Sequence, residues 1–454
     1  MSELDTQELT RLASHLVERA RRQGADVAEA QARAGWELTA KVRLGDTELV
    51  QEAGHRTVYL RVFRAQRMAA TSTSDLSEAG LEQCVQDAIE LLELSQPDPL
   101  SGPAEPNALS HPPFPDLDLY DPSVARIDAA TAIQRARCAE QAALQCDPRI
   151  TLSEGATFSR VTGASAMVLS GGFTGSQLGS YASLSVAPVA IDQSDKRRRG
   201  HYWSARRHAE DLEDDAEVGR EAARRTLRQL NPKKIATCEA PVIFDPDTAR
   251  SIVGTFASCV LGGAVWRKSS YLVGRLGSAV ASPLVSFTDD PLRRRGPGSR
   301  AFDGEGLLPR VNPVVVDGKL QTYLLDCYSA RKLGSTSTAS AARSGASVAP
   351  TTSNFYMQPG SISAERLISE TKQGLLVTSM MGFGFNAVTG DFSRGATGFW
   401  IENGQIAFPV SEVTISGNLD QMLQSVDAVA DDLDFKTSIA APSFRIARMT
   451  IGGT

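Results

Sequence analysis

A chain of 454 residues is long enough for two or three domains that each bury a core. Lysine and arginine number 47 against 53 acids, a net charge of -6, which argues against a dedicated nucleic-acid binder. The opening MSELDTQELTRL is charged and has no apolar leader core, and no apolar run reaches the roughly 20 residues of a membrane span, so a soluble, cytoplasmic chain is expected.

Asp5 is placed to cap a helix, with Glu8 at its third position and Leu9, Leu12, Ala13, Leu16, Val17 and Ala20 on one face before Gly24. Residues 37–42, 57–64 and 68–72 carry β-branched or alternating patterns, and a second helix is expected from Ser77 through Ile89. Residues 1–96 thus read as an α/β subdomain. Seven prolines from Pro97 to Pro115 each remove a backbone donor and fix φ, which makes residues 97–120 a linker.

Residues 121–232 read as a second α/β subdomain. A helix is expected over 128–146 and β structure with one polar face over 150–191. A further helix over 211–230 opens on Asp211, Glu213, Asp214 and Asp215 and closes on Arg224, Arg225 and Arg228, as the helix dipole favours, before Asn231-Pro232 ends it. Residues 233–454 start with a strand over 240–244 and a capped helix over 245–260, then turn β-rich. Asp317-Gly318 and Asn403-Gly404 sit between apolar runs and suit type I′ hairpin turns. The expected fold class is α+β, a mixed α/β N-terminal region followed by a β-rich C-terminal domain.

The chemistry-bearing residues are sparse. The last histidine is His208 and the last cysteine is Cys327, so the C-terminal half has no imidazole for a zinc site, which needs about three protein ligands. The six cysteines form no C-x-x-C pair or framework spacing and read as reduced thiols. His201 and His208, seven apart beside Arg206 and Arg207, read as surface histidines. Ser329 and Lys332 match S-x-x-K without the companion S-D-N and K-T-G elements, which leaves an acyl-transfer hydrolase as one alternative. The basic runs 196–199 and 293–295 leave another, a binding module for acidic partners through Arg293 to Arg295. Gly382-Phe383-Gly384 lacks the third glycine of a dinucleotide loop, and no P-loop is present. Asp427, Asp431, Asp432 and Asp434 lack the spacing of a calcium loop and read as a solvated face. The stretch 390–398 combines glycines that allow close backbone approach with Ser393 and Arg394; a peptide contact and a tight turn before the Phe399 strand both fit it.

Five segments in order, Trp266-Arg267-Lys268-Ser269-Ser270, Phe302-Asp303-Gly304-Glu305-Gly306, residues 328–334, residues 390–398 and Trp400-Ile401-Glu402-Asn403-Gly404, resemble the TldD/PmbA family, on its PmbA (TldE) side. The resemblance spans about residues 235–453 and weakens upstream. It implies a cytoplasmic metallopeptidase assembly, long labelled a modulator of DNA gyrase, in which two related subunits enclose a chamber that cuts unfolded peptides. The TldD-type subunit carries zinc on an H-E-x-x-x-H helix and a late cysteine. Counted back from Arg267, this chain has Gly254, Thr255 and Cys259 at the two imidazole positions and the glutamate position, and Ser438 to Ser443 where the late cysteine would stand.

The resemblance therefore implies a non-catalytic subunit that binds no metal of its own, with zinc on a TldD-type paralogue. This chain would pair with that paralogue, or with itself, over more than roughly 2,000 Å² if the pairing is obligate. Gly390, Asp391, Phe392, Ser393, Arg394, Gly395 and Gly398 are the expected substrate contact, gripping an extended peptide along a strand edge.

Overall fold

The computed structural model describes residues 4–193 and 195–453; Met1–Glu3, Ser194 and Thr454, which the expected bounds 1–96, 121–232 and 233–454 include, lie outside them. Helix α1 (Thr6–Arg22) starts where expected, because the Asp5 carboxylate accepts from the backbone N–H of Gln7 and Glu8. It leads into long antiparallel strands, β1 (Val27–Arg43) and β2 (Asp46–Arg64), then β3 (Arg67–Thr73) and helix α2 (Glu78–Leu94), capped by Ser77. After the proline-rich segment come α3 (Pro122–Ala125), α4 (Ala129–Gln145), β4 (Ile150–Leu169), β5 (Phe173–Ile191), the short β6 (Arg197–Arg199) and β7 (Tyr202–Arg206), and α5 (Asp215–Arg228).

These strands form one sheet in the order β3-β2-β1-β4-β5-β6, with β7 also on β5, so residues 1–96 and 121–232 share a sheet. Strand β1 explains how the layers form. Its even positions, Ala28 to Ala34 and then Leu38, Ala40 and Val42, are buried beneath the helices, with α1 and α2 over the first set and α4 and α5 over the second. Its odd positions from Glu29 on are polar apart from Gly35, and Glu29 and Arg33 turn toward the C-terminal domain.

That domain contains β8 (Cys238–Phe244), α6 (Pro246–Cys259), α7 (Gly262–Trp266), β9 (Phe287–Asp289), β10 (Asn312–Val316), β11 (Lys319–Leu320), α8 (Cys327–Lys332), β12 (Ala341–Ser344), β13 (Ser347–Pro350), β14 (Phe355–Met357) and α9 (Ala364–Ser369). It continues through β15 (Gln373–Phe385), β16 (Asp391–Glu402), β17 (Gln405–Asn418), α10 (Leu419–Gln424), β18 (Val426–Val429), β19 (Ile439–Ala440) and β20 (Phe444–Gly452). Both expected hairpin turns are present, with positive φ at Asp317, Gly318, Asn403 and Gly404. The larger sheet runs β17-β16-β15-β8-β20-β18, and a further pairing of β17 with β20 closes it into a ring. The smaller sheet runs β11-β10-β9-β14-β19, and the large apolar core includes α6 and strands of both. The fold is α+β with a β-rich C-terminal region.

The proline-rich segment is held against the C-terminal domain. The Arg331 guanidinium donates to the carbonyls of Leu100, Gly102 and Pro103, Ser110 bonds Gly306, and Phe114 packs on Phe173 and Phe302. A buried ion cluster joins the two halves more tightly. Arg343 of β12 donates to Glu29 of β1 at 2.6 Å, and Arg61 of β2 donates to the same oxygen at 3.0 Å. Arg343 also bonds the Gly304 carbonyl, and Arg33 bonds that of Arg343.

Burial opposes ionisation of Glu29, but Arg61 and Arg343 outweigh it and hold the carboxyl below its ordinary value. A depressed folded pKa gives stability that is present above the unfolded value of 4.5 and lost as pH falls through the folded one. Arg343→Ala would leave a buried charge half-paired, and urea melts should show a loss of about 3–5 kcal/mol. The same variant should lose part of the acid limb of the stability profile.

Candidate functional site

A cleft of 910 Å³ opens where the central region meets the C-terminal domain. Its walls come from the loop before β7, α5, the first half of α6, α9, β15 and β16. Asp245, the residue that caps α6, stands in this wall and accepts from the Thr248 N–H at 2.9 Å and hydroxyl at 2.8 Å. Burial and neighbouring Asp247 push its carboxyl up to about 6. Asp247 instead pairs with Arg225 at 3.2 Å and Arg250 at 3.4 Å.

The cations of this wall lie on aromatic faces. Arg250 covers Trp203, Arg225 covers Tyr202, and Arg228 covers Phe399. Lys436 reaches in from the C-terminal tail to bond the Trp203 carbonyl at 3.0 Å. Arg394 of β16 bonds the Ser251 hydroxyl at 2.8 Å, tying the larger sheet to α6 at the cleft. The site combines aromatic shelves, mixed charge and one carboxyl that titrates near pH 6, features that fit an extended polar chain. Asp245, Asp247, Arg225 and Arg250 were not singled out from the sequence. The Asp-Pro-Asp cap was visible there, but the wall facing it comes from residues some 20 to 50 positions upstream, such as Trp203 and Arg225.

Family models for domain 1, the central domain and the C-terminal domain of the PmbA/TldA metallopeptidases match residues 28–92, 122–230 and 237–453. The chain belongs to the PmbA/TldD metallopeptidase family. It is 37% identical over 450 residues to the metalloprotease PmbA homolog of Haemophilus influenzae, spanning 98% of this chain and 96% of the relative. It is 35% identical to the metalloprotease PmbA of Escherichia coli O157:H7, spanning 92% and 90%. A protein of Bacteroides thetaiotaomicron named for modulation of DNA gyrase superposes with a TM-score of 0.92 at 27% identity, over 99% of this chain and 100% of that one. TldE of Thermococcus kodakarensis shares the fold, with a TM-score of 0.86 over 97% and 100% at 20% identity.

In this PmbA/TldD-family chain, Gly254, Thr255 and Cys259, which the resemblance sets against the metal motif, lie on α6, and a Cβ on Gly254 would lie 3.7 Å from Ile439 of β19. The three positions supply one thiol between them. Thr255 bonds back to the Ser251 carbonyl at 2.9 Å, and Cys259 is buried with its thiol pushed up to about 11 by burial. Among the described residues, no group of three or more His, Cys, Asp or Glu is placed to hold a metal.

The strand-edge reading of residues 390–398 is corrected. Strand β16 is internal: Ala396 and Gly395 pair with Met380 and Met381 of β15, and Ser393, Arg394 and Gly395 pair with β17. Its backbone groups are taken up in the ladder and cannot accept a further strand. Gly390 forms the preceding turn at φ +83°, Asp391 bonds Thr389 and Asn418, Phe392 is buried, and Ser393 is exposed. Gly398 has a structural cause, since a Cβ there would meet the Leu376 carbonyl at 1.8 Å. Of these residues, Arg394 reaches the cleft with its side chain, through the Ser251 hydroxyl.

The remaining sequence candidates take other roles. Ser329 is buried in a capping box with Asp326, and the Lys332 ammonium binds Asp98 at 3.2 Å, so the serine and lysine do not form a nucleophile pair. Arg295 is held by Asp118, Glu210 and Asp211, and Arg293 lies over Phe435, which leaves little free charge in that basic run. His208 is not on the surface but buried, 3.0 Å from the Asp118 carbonyl, whereas His201 is exposed and lines the cleft.

A raised carboxyl stabilises the fold below its unfolded pKa, and that contribution is lost as pH rises through the folded value near 6. Asparagine retains the capping role, so Asp245→Asn should keep the helix and remove this residue's share of the fall in melting temperature expected between pH 4 and 7. A serine-directed fluorophosphonate should leave Ser329 unlabelled in intact-mass spectra.

Proposed function

We propose that this chain is a non-catalytic subunit of a PmbA/TldD-type metalloprotease that processes unfolded peptides in the cytoplasm. The reading is carried by α6, where Gly254, Thr255 and Cys259 offer neither imidazole nor carboxylate, and where the thiol is buried and held protonated. Zinc on a TldD-type paralogue would lower the pKa of its bound water to about 7 and so supply the nucleophile. This chain contributes binding and enclosure. Its peptide contact moves from a strand edge to the cleft wall, where Trp203 and Phe399 are backed by arginines and Arg394 joins the wall at Ser251. Such a wall favours polar, extended chains with little demand on sequence, and unfolded peptides meet that description.

Zinc content and cleavage of an unfolded peptide are to be measured for this chain alone, for a TldD-type paralogue from the same cell, and for the mixture. Expected are sub-stoichiometric zinc and no cleavage alone, with both present in the mixture. In the mixture, Arg250→Ala should raise KM several-fold with little change in kcat. Cleavage by the isolated chain that survives metal chelators would reject the reading.

A further inference from the structure

The face of the N-terminal sheet turned away from its helices carries a groove of 290 Å³ that shares no residue with the cleft. Its floor is a row of glycines. Gly35 of β1 pairs with Gly163 of β4, and Gly163 with Gly179 of β5, so bare backbone runs across three strands for about 10 Å. Gly35 has a local cause, because a Cβ there would meet the His55 ring at 2.6 Å. The other two have room for a side chain. A Cβ on Gly163 would sit 3.4 Å from the Ala34 carbonyl and one on Gly179 3.6 Å from Arg207, and neither residue has a positive φ. Glycine weakens a strand, and without a packing or backbone reason its use is to let another molecule approach the main chain closely.

The walls differ in chemistry. Arg33, Ser165 and Gln177 stand in register on one side, and Val161, 43% exposed, and Tyr181 on the other. The charge is of one sign. No Asp or Glu lines the groove, and Glu37, two residues beyond Gly35 on the same face, is exposed and outside it. Among the described residues neither Arg33 nor Arg207 has an ion pair. Arg207 gives its donors to the carbonyls of Leu119, Ser180, Gly296 and Pro297, whereas Arg33 makes one hydrogen bond, to the Arg343 carbonyl. Burial pushes both guanidinium groups below their ordinary value, opposed only by Tyr59 and Tyr181. Arg33 therefore has donors left for an anion. Along the same wall the Gln177 side-chain oxygen is buried without a donor. A carboxylate answers the first and an N–H the second. Both belong to the C-terminal end of a peptide, whose last side chains can rest on Val161.

We propose that this groove binds the free C-terminus of a short peptide, with its α-carboxylate on Arg33, a main-chain N–H on Gln177 and its backbone laid over Gly163 and Gly179. Peptide cleavage creates such ends, so the origin of the ligand rests on the proposed peptidase role; the anion site itself does not.

The test is titration calorimetry on the full, isolated chain with N-acetyl-Ala-Ala-Ala, with its C-terminal amide, and with phenyl phosphate as an anion from another source. Expected is one site per chain for the free acid and about tenfold weaker binding of the amide. Arg33→Gln should weaken the free acid about tenfold and leave the amide unchanged. Gly163→Val fills the floor with a good strand former, so it should abolish binding while the melting temperature stays level or rises. No binding of the free acid, equal binding of acid and amide, tighter binding of phenyl phosphate, or a folded Gly163→Val that still binds would overturn the proposal. So would free-acid binding that is lost in Arg250→Ala and kept in Arg33→Gln, which would place the peptide in the cleft and leave the peptidase reading intact.

Discussion

The whole arrangement depends on one constraint: Glu29 is buried as a charge and must be paired. Its partners come from both halves, Arg61 from the N-terminal sheet and Arg343 from the C-terminal domain. Since an uncompensated charge in such a place is strongly unfavourable, the sheet and the domain have one relative placement that satisfies it. The strapping of residues 100–110 by Arg331 and Gly306 acts in the same direction from the surface. With the halves fixed, α5 and the loop before β7 come to face α6 across the cleft.

The cleft wall and the segment from Gly254 to Cys259 share one element, α6. The N-terminal half of α6 lines the cavity with Asp245, Asp247, Arg250 and Ser251, while its C-terminal half bears Cys259 in the core. On the proposed reading, α6, beside β19 and without imidazole or carboxylate at Gly254, Thr255 and Cys259, belongs to a subunit that leaves the hydrolytic step to a neighbour. Its carboxyl near pH 6 gives the cleft a pH-dependent charge.

Local signals were readable in the sequence wherever local physics decides. Asp5, Ser77, Asp128 and Asp245 each cap the helix that their patterns announced. The helix expected from 211 begins at Asp215, because Ala209–Asp211 forms a 3-10 turn and Asp214 takes the cap. The start of β1 was missed: Ala28, Ala30, Ala32 and Ala34 favour helix on propensity and become strand only because helices pack closely above them. Non-local pairing hid the rest. Residues 390–398 carry the glycines of a contact segment, but whether they form an edge is decided by β15 and β17. His208 looked solvated until residue 118 came to lie beside it.

The central claim is that the reactive metal of this assembly belongs to another chain. Calorimetric titration of zinc into the isolated, metal-stripped chain tests it most directly. The account predicts no saturable site of unit stoichiometry; a tight one-to-one site that is lost on changing residues of α6 would contradict it.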